Sequence, residues 1–234
     1  STGLVGSEMC IRDRIIGAPG YNNGHGVAFL YKKNNKVWEL SNTFENPIPY
    51  NITGTPHKFG YNVAITDDYV SISSPFYNDG LVHVYNLDNL DNSKSFDRPF
   101  HSIDVRKLGD VEGCYAIGPN KFGFGISTSF NNNKLLIGSL KEFVYMVEYK
   151  DGIPFGIDIP SPSSINNEDD KIKFGESVYV GDKNLYISAL EDDNGKGSVF
   201  VYPYLQSSKT DEDQNPWVNP CLLYTSDAAD DFVR

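Results

Sequence analysis

One unit recurs along this chain at nearly constant length, and few folds accommodate that. A Phe-Gly pair opens it and a valine-bearing run closing on tyrosine ends it, with 26 positions from Phe59 to Tyr85, 27 from Phe122 to Tyr149 and 28 from Phe174 to Tyr202. A fixed repeat implies one supersecondary unit per copy, each burying its apolar surface on its neighbours. In HKFGYNVAITDDYVSISSPFYNDGLVHVYNLD, residues 57–88, Phe59, Tyr61, Val63 and Ile65 alternate with smaller or polar residues. Val70 and Ile72 resume the alternation, and Val82 and Val84 resume it again. Period two predicts half-buried strands. Asp67-Asp68 and Asn78-Asp79-Gly80 tolerate tight reversals, so the three runs predict an antiparallel meander. Gly60, lacking a Cβ, lets a neighbouring backbone approach closely.

The other copies follow the same order. The first, IIGAPGYNNGHGVAFLY, ends at Tyr31, and the repeat length puts its missing Phe-Gly near residue 4. Residues 15–56 therefore predict a truncated unit whose outer strand is KVWEL, residues 36–40. Residues 57–113 predict the second unit, with its fourth strand near residues 100–105. Residues 114–171 and 172–220 predict the third and fourth, the last with Trp217 and Val218 in its outer strand. No helical periodicity of useful length interrupts them, and the turn-rich SPSSINNEDD, residues 161–170, links units within one array.

These residues resemble the FG-GAP repeat, the blade unit of the integrin alpha-chain β-propeller. Phe59-Gly60, Phe122-Gly123 and Phe174-Gly175 are similar to its first half, and Gly17-Ala18-Pro19 to its second. Ser73-Ser74-Pro75, Gly138-Ser139-Leu140 and Ser188-Ala189-Leu190 are worn versions of that second half. The resemblance implies an all-β fold, a partial β-propeller of about three and a half four-stranded antiparallel blades. Integrin-type propellers have seven blades, so the remaining ones are expected elsewhere in a longer chain, and a bare blade face is expected to associate.

Both ends lack the interior's strand pattern, and a coding argument gives them a common origin. Met9 to Asp13 can be written ATG TGT ATA AGA GAC, with AG opening the Arg14 codon, and the reverse complement read from its second base encodes Cys-Leu-Leu-Tyr-Thr, residues 221–225. Residues 1–14 and 221–234 are therefore expected to be translated sequencing adapters, set aside from fold reasoning. They hold two of the three cysteines, leaving Cys114 without an intrachain disulfide partner. They also carry a net charge of −2, so the full chain's −11 becomes −9 for residues 15–220. An acidic chain argues against nucleic acid as a partner. Membrane association is expected only through regions outside this sequence.

Candidate sites lie in loops. Integrin-type repeats often carry an Asp-x-Asp-x-Asp-Gly calcium loop, whereas the turns Thr66-Asp67-Asp68, Asn131-Asn132-Asn133 and Gly181-Asp182-Lys183-Asn184 are too short for one. No cofactor is expected; were calcium to bind, Asp192, Asp193 and Asn194 are the candidate ligands. Four scattered histidines (His25, His57, His83, His101), without HExxH or G-x-S-x-G, give no catalytic constellation. His83, between Val82 and Val84, reads as outward-facing. Asn51-Ile52-Thr53 is an N-glycosylation sequon.

The family resemblance implies a non-catalytic extracellular or cell-surface adhesion module that recognises a protein or glycan through its loops. The candidate binding residues are Tyr21, Asn22, His25, Phe76, Asn78, Asp79, Glu191 and Lys196. The alternative is the propeller portion of a larger secreted enzyme whose catalytic domain lies outside this sequence.

Overall fold

The computed structural model describes residues 13–49, 56–77, 80–88, 95–96, 101–104, 128–131, 134–138, 143–150, 153–162, 173–190, 192, 196–203 and 221–225. The fold is all-β. In chain order the strands are β1 (Asp13–Ala18), β2 (Val27–Asn34), β3 (Val37–Glu45), β4 (Val63–Ile65), β5 (Tyr69–Ser74), β6 (Leu81–Asn86), β7 (Ser95–Phe96) and β8 (His101–Asp104). They continue with β9 (Thr128–Asn131), β10 (Lys134–Ile137), β11 (Phe143–Lys150), β12 (Ile153–Pro160), β13 (Phe174–Val180), β14 (Asn184–Ala189), β15 (Ser198–Pro203) and β16 (Cys221–Thr225). The described strands form four four-stranded sheets, ordered β1-β2-β3-β7, β4-β5-β6-β8, β9-β10-β11-β12 and β13-β14-β15-β16. We number these sheets 1 to 4.

Short reversals join the meander strands because their sequences close on themselves. At Thr66–Tyr69 the Thr66 N–H donates to Tyr69 O (2.9 Å), while Thr66 Oγ1 accepts from the Tyr69 N–H (3.0 Å). At the matching turn of sheet 4, Gly181 N–H donates to Asn184 O at 2.9 Å. Both are plain hairpins, with the side chain or backbone oxygens engaged locally.

Several strands depart from expectation. Sheet 1 takes its fourth strand from beyond sheet 2: β7 lies parallel to β3, pairing Thr43 with Ser95 and Phe44 with Phe96. A strand parallel to its neighbour needs a crossover connection, and the whole of β4 to β6 serves as one. The fourth strand of sheet 4 is β16, residues 221–225, paired antiparallel with β15. An apolar run next to an open sheet edge pairs with it whatever its origin. Residues 217 and 218, expected there, lie outside the described residues, as do Phe122 and Gly123. In sheet 3, Ile137 faces Tyr145 across the ladder as Ile72 faces His83. That register puts Val147, rather than Tyr149, in the place of Tyr85.

The cores lie between sheets. Ala28, Leu30 and Phe44 of sheet 1 pack with Phe59, Val70, Ile72 and Tyr85 from the second repeat. Leu136, Val144, Met146 and Ile159 of sheet 3 pack with Phe174, Leu185, Ile187, Phe200 and Tyr202 from the fourth. The first strands of successive sheets also touch in sequence order, β1 on β4, β4 on β9 and β9 on β13. Period two lets a sheet put alternate residues on opposite faces, as the cores between sheets 1 and 2 and between sheets 3 and 4 require.

The Phe-Gly pair is the clasp. Phe59 and Phe174 are both 0% exposed. Each is flanked by residues with positive φ, Lys58 (53°) and Gly60 (84°) in one copy, Lys173 (48°) and Gly175 (91°) in the other. Gly60 sits on the backbone of sheet 1: a Cβ there would stand 2.5 Å from Val27 O and 3.3 Å from Gly17 Cα. A Cβ on Gly17 would in turn collide with Gly60 O. Thus the Phe-Gly of one repeat meets the Gly-Ala-Pro of the repeat before it, a backbone-to-backbone contact that only glycine permits.

A second recurrence ties the second and fourth repeats internally. Three residues after the phenylalanine, Asn62 N–H donates to Ser73 Oγ (2.9 Å), and Ser177 N–H donates to Ser188 Oγ (2.8 Å). Ser73 and Ser188 stand where the first repeat has Gly17. A serine is therefore not merely a degraded glycine at that position, since its hydroxyl satisfies a backbone donor.

Candidate functional site

The loop between β1 and β2 folds back against the segment that precedes Phe59. Asn22 and Asn23 adopt positive φ (49° and 56°), so residues 21–24 form a tight left-handed turn rather than a useful helix. Gly26 N–H donates to Tyr21 O at 3.0 Å and closes the turn. Lys58 N–H then donates to Gly24 O (2.8 Å) and Phe59 N–H to His25 O (3.3 Å), stitching the loop to the next repeat.

Behind these bonds lies a polar cluster at the junction of sheets 1 and 2. Asn46 Nδ2 donates to His25 O at 3.0 Å and lies 3.1 Å from His57 Nδ1 and 3.5 Å from His25 Nδ1. The amide cannot be turned round, because Asn46 Oδ1 accepts the Ile48 N–H at 3.0 Å. An amide nitrogen only donates, so His57 Nδ1 is an acceptor and its proton sits on Nε2. The His25 and His57 rings are 5.7 Å apart, and Tyr77 meets His57 edge-on at 4.8 Å.

Electrostatics keep this pair neutral. Burial holds His57 below the ordinary imidazole range, and the neighbouring His25 lowers it further. His25 is also lowered by burial, with Glu45 opposing the shift. Two neutral imidazoles tied through one amide make a structural plug, since the His57 nitrogen nearest the cluster is occupied as an acceptor.

Beside the plug the surface is aromatic. Phe76 is half exposed, with Lys58 Nζ 4.4 Å above its ring and Tyr61 edge-on at 5.6 Å. Tyr21 is exposed on the adjoining turn. A cation over a ring and an aromatic pair hold one another in place, and exposed aromatics offer large contact area at small entropic cost.

Among the candidate binding residues, then, Tyr21, Asn22, His25 and Phe76 come together at the junction of sheets 1 and 2. Lys196 belongs to the corresponding loop of sheet 4 and is exposed. Asn78, Asp79, Glu191, Asp193, Asn194 and the sequon residue Asn51 lie outside the described residues. Asp192 O accepts the Gly197 N–H at 3.0 Å, a loop-closing bond. Among the described residues no three His, Cys, Asp or Glu side chains gather as metal ligands.

The histidine readings divide. His83 is not outward-facing: it is 1% exposed, between Ser74 Oγ (3.3 Å) and Ser102 Oγ (2.9 Å), with Phe59 at 5.5 Å. Burial pushes its pKa down to about 3. The equivalent positions hold Phe29, Tyr145 and Phe200, so the face that sequence alternation left open is the face toward sheet 1. Asn46, Lys58 and Tyr61 were missed as site residues. Asn46 lies 11 positions from His57, and nothing local in the sequence announces a contact between sheets.

Comparison with protein-family models and with curated proteins finds no match for this chain.

Proposed function

We propose that this chain is a run of FG-GAP-type blades from a β-propeller, working as a non-catalytic extracellular binding module. The observation that carries the reading is the repeated clasp, Lys-Phe-Gly with the same backbone signs and a fully buried phenylalanine in two copies. Face-to-face sheets whose first strands touch in sequence order support radial stacking of blades. The rigid seat of the β1–β2 loop supports recognition at that end: Tyr21 and Phe76 are presented on a surface fixed by the Asn46 plug. Such a surface suits a protein or glycan ligand, which stacks on exposed rings and hydrogen-bonds to nearby loop groups.

The test is a binding screen of the full chain on immobilised glycans and extracellular proteins, repeated with Tyr21→Ala and Phe76→Ala. The reading expects ligands whose retention falls at least tenfold in both variants while thermal unfolding is unchanged. Retention indifferent to both substitutions, or no ligand in either class, contradicts it.

A further inference from the structure

The β1–β2 loop is a small body of its own, closed internally and seated on its neighbours through Gly24 and His25. Gly24 N–H donates to Gly20 O (3.3 Å), His25 N–H to Asn22 O (3.1 Å) and Gly26 N–H to Tyr21 O (3.0 Å), so residues 20–26 keep their shape through bonds among themselves. Asn22, Asn23, Gly24 and Gly26 all have positive φ, and such a backbone persists where its surroundings fix it. The seat is made by Lys58 N–H on Gly24 O, Phe59 N–H on His25 O at a long 3.3 Å, and Asn46 Nδ2 on His25 O at 3.0 Å.

The Asn46 bond depends on a neutral His57. With Oδ1 engaged by the Ile48 N–H, the amide nitrogen faces His57 Nδ1 (3.1 Å) and His25 Nδ1 (3.5 Å), and the amide oxygen is not free to take its place. A proton on His57 Nδ1 sets two donors against each other in a buried cluster, His57 being 0% exposed. Charging both rings, 5.7 Å apart, adds repulsion. Among the described residues, the groups around the pair are Glu45, which ends β3 and favours a charged His25; Tyr77, whose ring meets His57 edge-on; and Lys58, whose ammonium lies over Phe76. Glu45 is exposed, so water weakens its support for that charge.

We propose that this junction is an acid-released latch: protonation of His57 breaks Asn46 from the imidazole pair, unseats the β1–β2 loop and carries Tyr21 away from Phe76. Release is local, because Phe59 stays packed with Ala28, Leu30, Phe44, Val70 and Ile72. Burial holds both imidazoles below the ordinary 6.5 while the loop is seated, so the released loop binds protons more readily and falling pH favours it. The consequence for a ligand, capture at neutral pH and release on acidification, rests on the proposed binding surface; the latch itself does not.

Amide hydrogen exchange of the full chain at pH 7 and pH 5, corrected for the intrinsic pH dependence of exchange, tests the latch without a ligand. The Lys58 amide reports the seat, and the Gly181 amide, bonded to Asn184 O in the hairpin of sheet 4, is the control. The expected result is a loss of Lys58 protection of roughly tenfold or more at pH 5, with Gly181 unchanged. His57→Asn keeps a side-chain acceptor that cannot be protonated in this range, and is expected to abolish most of that loss. Glu45→Gln, on an exposed side chain, removes the support for a charged His25 in the seated loop and is expected to enlarge the loss at pH 5 while leaving protection at pH 7 as it was. Unchanged Lys58 protection in the wild type overturns the latch, as does a full loss in His57→Asn or a smaller one in Glu45→Gln. Such a failure leaves the binding reading standing, and a failed binding screen leaves the latch standing.

Discussion

At the scale of single residues, His83 shows what a buried polar group does to this fold. Its folded pKa of about 3 lies below the ordinary 6.5, so the unfolded chain binds the proton more readily. Stability from this group is therefore complete above pH 6.5 and falls as pH drops toward 3, by up to about 1.4 kcal/mol per unit. His25 and His57, also lowered, add to the same trend. Replacing His83 by phenylalanine, as at the matching positions of the first and fourth repeats, removes the largest of these contributions. Urea unfolding between pH 7 and pH 5 is expected to lose much of its pH slope in His83→Phe, and an unchanged slope would rule out the buried neutral imidazole. The sequence showed that His83 alternates with valines but not which face was buried, because sheets covered on both sides have no solvent side. The role of Gly60 was legible, since a missing Cβ has one structural use beside a buried aromatic.

At the scale of elements, the strands were legible and their partners less so. Alternation located β1, β2, β4, β5, β6, β13, β14 and β15, and the fourth strand of sheet 2 fell at 101–104 as spacing suggested. β7 was not foreseeable: two residues in a parallel bridge carry no periodicity of their own. The third repeat misled for a different reason, since Tyr145 and Tyr149 lie four positions apart in one strand and only the ladder to β10 decides the register. The contacts between elements give two unequal perturbations. Phe59→Ala empties the core between sheets 1 and 2 and is expected to cost about 3–5 kcal/mol. Tyr61→Ala, two residues on and exposed, is expected to cost less than about 1 kcal/mol. Asn46→Leu, which removes the amide donor to His25 O and His57 Nδ1 and the acceptor of the Ile48 N–H, falls between them at about 1–3 kcal/mol. Chemical denaturation orders the three, and equal losses would mean that the clasp has no special place in the packing.

At the scale of the whole molecule, Phe59 and Phe174 each pack their own sheet on the sheet before, and Gly60 seats its backbone on that of sheet 1. Stability in such arrays is a sum of units and of the interfaces between neighbours. The same backbone signs at Lys58-Phe59-Gly60 and Lys173-Phe174-Gly175, far apart in sequence, are the strongest sign that the units are alike. The third copy, Lys121-Phe122-Gly123, lies outside the described residues and so provides an independent check. The most direct measurement is the urea stability of Gly60→Ala, Gly123→Ala and Gly175→Ala beside Gly20→Ala, whose added methyl meets nothing within 4 Å. Losses of about 1–3 kcal/mol or more are expected at all three repeat glycines, and little change at Gly20. A neutral Gly123→Ala would contradict that expectation, for the third unit would then not be built as the others are.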